Sequence, residues 1–356
     1  MRVLLKRAFF RASLLLGLFR LSRHLARRKL IILCYHGFRM SDEGEFRPKL
    51  FMSRETFARR LALIRLRGIA VLPLDDALQR LYTGTLPDSA IAITIDDGFH
   101  SVGSVATEIL KQRGFPATLY LTTYYVLKGT PIFRLVIQYM FWKTREDKLH
   151  CSDFTWLADS SLDLRDAARR DKVMWALIDY GERSCTEPER VSIARKLGEN
   201  LRVDYQSIAD RRILSLMTPA EVRQFAKAGF DVQLHSHRHQ FPLEDENIAR
   251  QEIADNREAI GSMLGYTARH FCYPSGVWAA HQWPWLELMG VNSAATCESG
   301  LNSAKTPRLA LRRFLDAESV SDIEFLAEMD GFAEFVREAR RRVKTIARLP
   351  FRARKG

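Results

Sequence analysis

Residues 90–98 read Ala-Ile-Ala-Ile-Thr-Ile-Asp-Asp-Gly. Ala90–Ile95 is an apolar run broken by one Thr, the composition of a strand buried on both faces. Two carboxylates, Asp96 and Asp97, follow at once, and Gly98 permits a sharp turn out of the strand. Adjacent carboxylates after a buried run are costly unless a positive partner meets them. A divalent metal neutralising one or both is such a partner; an exposed Asp-Asp-Gly turn is the plain alternative.

On either side of this stretch, strands alternate with helices. Leu30–Tyr35 is strand-like and ends at His36-Gly37. Thr56–Arg67 carries Phe57, Leu61 and Ile64 at helical spacing and stops at Gly68. Ile69–Leu74 reads as a strand and Asp75–Tyr82 as a helix. Residues 101–113 form a helix ended by Gly114, and Ala117–Thr122 is the next strand. Later come the strand-like runs Phe230–Leu234, His270–Tyr273 and Val291–Ala295, with a helix over Pro219–Ala228 capped by Thr218. Repeated β-then-α units over about 250 residues predict an α/β fold, a distorted TIM-like (β/α) barrel. Between Lys128 and Met217 the rhythm breaks into a charged, Trp-containing stretch of helix formers without a strand pattern. The expected organisation is a basic apolar N-terminal helix over 1–28, barrel over 29–127, a mostly helical insertion over 128–217, barrel again over 218–317, and a C-terminal helix with a basic tail over 318–356.

A second cluster supports the metal reading. Phe230–Leu234 runs into His235-Ser236-His237-Arg238-His239. Imidazoles four residues apart can reach one ion, and with one carboxylate they leave a position open for water, as catalytic zinc sites require. A third segment, Phe271-Cys272-Tyr273-Pro274-Ser275-Gly276, is a strand entering a Pro/Gly turn. It is either only a turn or a loop whose backbone N–H, near Tyr273, points at a developing oxyanion.

In this order the segments resemble the polysaccharide deacetylase homology domain of carbohydrate esterase family 4, from about Lys29 to Ala317 with the insertion between. The family's T-[FI]-D-D-G motif is matched by Thr94–Gly98 and its H-[ST]-x-x-H motif by His235–His239. Tyr35-His36 and Leu311-Arg312-Arg313-Phe314 are also similar to segments of many members. The resemblance implies a hydrolase that removes N-acetyl groups from an N-acetylated sugar of a glycan or glycolipid and releases acetate. Asp97, His235 and His239 would hold a divalent metal, zinc or another divalent transition metal, with Asp96 as general base. Two departures matter. Cys272 stands where many members carry an Arg that orients the base, a task that similar sequences assign to Arg313. No His follows His281, where many members keep their general acid, which leaves His36, His237 and His281 as substitutes. In the insertion, Trp142, Trp156 and Trp175 either stack on sugar rings or form the core of a helical subdomain. A carbohydrate O-deacetylase or another amide hydrolase would use the same site, and a membrane-bound glycan-binding accessory protein would carry it in degenerate form.

The net charge of +13 is concentrated at the ends. Residues 1–30 hold nine Lys/Arg and no acid, residues 337–356 hold nine Lys/Arg and one Glu, and the body between is mildly acidic. No nucleic-acid-binding motif accompanies these arms, so no nucleic-acid partner is expected. An anionic membrane surface suits them better, each basic residue there adding about 1 kcal/mol. Within residues 1–30 the longest uncharged stretch, Ala12–Phe19, is far short of the roughly 20 residues a membrane span needs. Arg20, Arg23, Arg27 and Arg28 occupy the place of a signal-peptide cleavage site. Leu4, Leu5, Phe9, Phe10, Leu14, Leu15, Leu18 and Phe19 are therefore expected on a helix lying in the membrane interface. Five cysteines, odd in number and without C-x-x-C spacing, agree with a cytoplasmic protein, peripheral on the inner face of the cell membrane.

Overall fold

The computed structural model describes residues 2–154, 156–157 and 161–347. Eight parallel strands form the main sheet: β1 (Leu30–Tyr35), β2 (Ala70–Val71), β3 (Ala90–Asp97), β4 (Thr118–Leu121), β5 (Asp231–Leu234), β6 (His270–Cys272), β7 (Ser293–Ala295) and β8 (Phe314–Leu315). Their spatial order is β7-β6-β5-β4-β3-β1-β8, with β2 beside the start of β3. Leu311 pairs in parallel with Ala295 just before β8 pairs with β1, so residues 311–315 join the two sheet edges into a distorted (β/α) barrel.

Alternation along the strands explains the unbroken apolar runs. Ile91, Ile93 and Ile95 of β3, with Ile31 and Leu33 of β1, pack under the surrounding helices. Ala90, Ala92, Leu30 and Ile32 face inward, against Leu74, Ala77, Leu78 and Leu81 of the helix Leu74–Thr83, which fills one end of the barrel. Continuing that inward row along β3 leads to Thr94 and Asp96. The site therefore caps a packed interior.

Several elements depart from the pattern expected of the sequence. The strand expected over Ile69–Leu74 shrinks to Ala70–Val71, because Pro73 and the acids Asp75 and Asp76 start a helix at Leu74. Strand β3 extends through Asp97, so both carboxylates belong to the strand instead of following it. The segment 128–217 is mostly helical, with helices Phe133–Lys143, Ala167–Ser184, Glu187–Leu201 and Tyr205–Arg211. It also holds an antiparallel ribbon of Lys148–His150 against Ser161–Asp163, too short to register as a periodic pattern. Its buried Phe133, Val136, Leu177 and Leu197 belong to the same continuous core as the outer face of the barrel.

The N-terminal stretch forms two helices, α1 (Arg2–Leu15) and α2 (Leu18–Leu25), broken at Gly17, whose φ is 76°. The single interfacial helix is thus corrected in part. Phe10 and Phe19 are buried against Ala327, Phe332 and Ala333 of the helices Asp322–Met329 and Phe332–Ala347. Lys6 and Arg7 pair with Glu324, and Arg23 pairs with Asp330. The basic tail expected beyond residue 347 lies outside the described residues.

A shared core predicts shared unfolding. Leu197→Ala, deep in the insertion, should cost about 2–5 kcal/mol and lower the midpoint of one cooperative urea transition. Separate transitions for insertion and barrel would contradict this.

Candidate active site

On a regular strand Asp96 and Asp97 would face opposite sides of the sheet. Asp97 instead adopts φ 68°, and the Gly98 N–H donates to the Asp96 carbonyl at 2.8 Å, closing a three-residue turn. That turn re-aims Asp97 so that both carboxylates serve one site. Gly98 itself has φ 93°, and a Cβ there would meet Leu121 Cδ1 at 2.3 Å. Of seven non-glycine residues with positive φ among the described residues, four lie here: Asp97, Ser236, His239 and Ser275. Such conformations cost of order 1–3 kcal/mol each and persist only where surrounding structure enforces them.

The enforcing contacts for the histidine loop come from the helix Glu246–Leu264. Asn256 Oδ1 accepts from the His235 N–H at 3.0 Å, and its Nδ2 donates to the Leu121 carbonyl and to Thr123 Oγ1. Buried Glu252 accepts from the Arg238 N–H, and its own carbonyl accepts from the His237 N–H. His235 Nδ1 donates to the Cys272 carbonyl at 2.9 Å, which leaves Nε2 as the free lone pair facing the site. His235 Nε2 and His239 Nε2 lie 3.3 and 3.4 Å from Asp97 Oδ1. Two nitrogens and one carboxylate oxygen thus converge with one side open to the cavity, a donor set suited to a divalent transition metal. Other convergent groups, Cys34–His36–Asp96 and Asp96–His235–Cys272, are poorer. Burial pushes both thiols well up, keeping them protonated, and Asp96 is engaged elsewhere.

That engagement is with Arg313. Its Nη1 donates to Asp96 Oδ1 at 2.7 Å and its Nη2 to Oδ2 at 2.8 Å, while Nε donates to the Thr296 carbonyl. Burial alone would raise Asp96, but the guanidinium and its two hydrogen bonds hold the carboxyl well below the usual range. The Cys272 and Cys34 thiols approach Asp96 Oδ2 at 3.4 and 3.5 Å, and Arg313 Nη2 also reaches Cys272 Sγ at 3.0 Å.

Tyr273 needs correction. Its N–H donates to the Ala295 carbonyl in the sheet and its hydroxyl to the Leu309 carbonyl, so the residue is buried scaffold with no donor to spare. The three tryptophans also miss the site. Trp156 stacks on Tyr180, Trp142 packs on Phe46 and Tyr139, and Trp175 sits beside Arg134. The cavity of about 460 Å³ next to the convergent donors is walled by Asp97, His239 and Ser275 from the barrel, and by Tyr124, Arg134 and Arg190 towards the insertion. Among the spare histidines, His237 is held by Thr123 Oγ1 at 2.8 Å and His281 by the Leu243 carbonyl at 2.7 Å. His36 is partly buried, its Nε2 3.9 Å from Asp96 Oδ2. Asn256 and Glu252 escaped the sequence reading because isolated helical polar residues carry no motif.

Residues 192–294 match the family model described as polysaccharide deacetylase. Similar solved structures include a deacetylase, PplD, from Streptococcus pyogenes in complex with acetate (16% identity, 85% of this chain and 98% of that one, TM-score 0.55). IcaB from Ammonifex degensii (17%, 85% and 97%, TM-score 0.54) and a de-N-acetylase from Aggregatibacter actinomycetemcomitans (13%, 84% and 99%, TM-score 0.54) share the fold as well. No curated protein matches the sequence.

Because Asp96 titrates below its unfolded value of about 4, its pairing stabilises the fold above that pH and fades as pH falls through the lower folded value. Arg313→Met strands a buried carboxylate and should cost roughly 3–5 kcal/mol near neutral pH. The deficit should shrink as pH falls below the unfolded value of about 4, where the parent progressively loses the advantage of the pairing and the variant's unpaired carboxyl is neutralised; urea midpoints at two pH values check this.

Proposed function

From its kinship with the polysaccharide deacetylases, we propose that this chain is a metal-dependent hydrolase that removes N-acetyl groups from an N-acetylated sugar and releases acetate. The observation that carries this reading is the convergence of Asp97, His235 and His239 beside an Asp96 locked by Arg313. The three donors would hold Zn²⁺ or a similar divalent ion. When bound there, such an ion lowers the pKa of a water and polarises an acyl carbonyl.

The chain's own residues supply the rest. Asp96 Oδ2 is occupied by Arg313 and flanked by two thiols, whereas Oδ1 accepts only from Arg313 Nη1 and keeps a lone pair. Oδ1 is the base that takes the proton of the attacking water. Arg313 fixes the carboxylate's orientation and keeps it ionised. With the Tyr273 N–H engaged, the oxyanion donor is the backbone N–H of Ser275, which lines the cavity in a left-handed conformation. His36, partly buried beside Asp96, protonates the departing amine; the other spare histidines are tied elsewhere.

The cavity's wall of Leu50, Ile132 and Leu135 with Tyr124 and three arginines suits a sugar joined to further groups in a glycan or glycolipid. The basic termini support meeting that substrate at the inner face of the cell membrane.

Acetate release from chitooligosaccharides and N-acetylhexosamine glycolipids tests the reaction. Asp96→Asn should still bind zinc yet lose on the order of 10²–10⁴ in kcat, whereas His235→Ala should lose zinc and activity together. A fully active Asp96→Asn would end this mechanism. His36→Gln should lower kcat about 10²-fold with little change in KM; an unchanged kcat would exclude His36 as the acid.

A further inference from the structure

Helix α1 is apolar on two sides. Its inner side, with Phe10, Ser13 and Leu14, packs on the C-terminal helices. Its outer side repeats Leu4, Leu5, Ala8, Phe9, Ala12 and Leu15 at helical spacing, Leu16 follows in the turn, and all seven are exposed. Leu15 and Leu16 are 88% and 76% exposed. Helix α2 continues the surface with Leu18, Leu21 and Leu25, one stripe at i, i+3 and i+7. Nine of the nineteen exposed large hydrophobic side chains among the described residues fall within these two helices and the turn between them. A helix apolar all round requires cover on both sides, and so large an exposed patch marks an interaction surface.

We propose that the outward face of α1 and α2 lies in the headgroup region of an anionic lipid bilayer. Charge selects this occupant. Arg11, Arg20 and Arg28 are exposed at the patch and form no ion pair among the described residues, and residues 1–30 contain no acid. A second copy of the chain would set this patch against itself, like charge facing like. A bilayer containing acidic phospholipid offers both acyl chains and phosphates. The helices lie on it instead of crossing: no helix among the described residues is long and apolar enough to span. The expected helix in the membrane interface thereby becomes a two-helix platform, with Phe10 and Phe19 as its bolts to the body and the outer leucines as its contact. Neither helix lines the catalytic cavity, so this surface stands independently of the proposed reaction.

Flotation of the full chain with phosphatidylcholine vesicles, with and without phosphatidylglycerol, tests the proposal. Binding should require phosphatidylglycerol and weaken with salt. The double variant Leu15→Glu/Leu16→Glu should lose at least about tenfold in partition, because it removes two apolar side chains from the contact. Neither side chain supports the fold, so its thermal midpoint should match the parent. Arg11→Gln/Arg20→Gln should weaken binding to anionic vesicles by roughly an order of magnitude. Failure of the full chain to float with anionic vesicles would overturn the proposal. Undiminished binding by the leucine variant would do so too, as would a solution dimer that this variant dissolves.

Discussion

Closure of the barrel depends on two buried ion pairs carried by one short segment. Residues 311–316 bridge β7 and β1, and within them Arg313 grips Asp96 inside the barrel while Asp316 meets Arg60 outside it, at 3.0 Å with both side chains fully buried. Replacing such pairs by apolar groups is often neutral or stabilising; what a pair adds is direction. The guanidinium fork accepts one placement of the Asp96 carboxylate, so the geometry of the base and the closure of the sheet are one constraint. Cys272 and Cys34 fill the space around it with small, protonated side chains that add no competing charge.

Strain is distributed in the same economical way. Neighbouring carboxylates on a strand cannot share a site without a break in the pleat, and the positive φ of Asp97 is that break. Ser236, His239 and Ser275 repeat the device on the facing loops. Enforcement comes from the helix Glu246–Leu264, whose Asn256 ties the histidine loop to the end of β4. A substitution at Asn256 would thus act through the position of His235 without touching it.

Much of this was legible in the sequence. Apolar runs announced the doubly buried strands because inward and outward rows are both covered, and the two motifs at strand ends located the donor set. What escaped had physical reasons. The kink at Asp97 is a backbone conformation, invisible to hydrophobic pattern. Tyr273 lies on a short edge of β6 where its N–H completes the ladder, which no local signal distinguishes from a free donor. The ribbon at 148–163 pairs only three residues on each side. The greasy N-terminus reads as a helix-former, but its division into an inner and an outer face depends on where the C-terminal helices pack.

The separation of the paired residues along the chain has a consequence for biosynthesis. Asp96 and Arg313 are 217 positions apart, and Phe10 and Phe19 of the N-terminal helices find their apolar partners in the C-terminal helices. A nascent chain emerging from a ribosome presents Asp96, Asp97 and the apolar faces of α1 long before their counterparts exist. Such long-range closure is slow and exposes adhesive surface meanwhile. Prematurely terminated chains would carry an unclosed barrel and an unpaired carboxylate, giving quality-control proteases a clear distinction between finished and unfinished molecules.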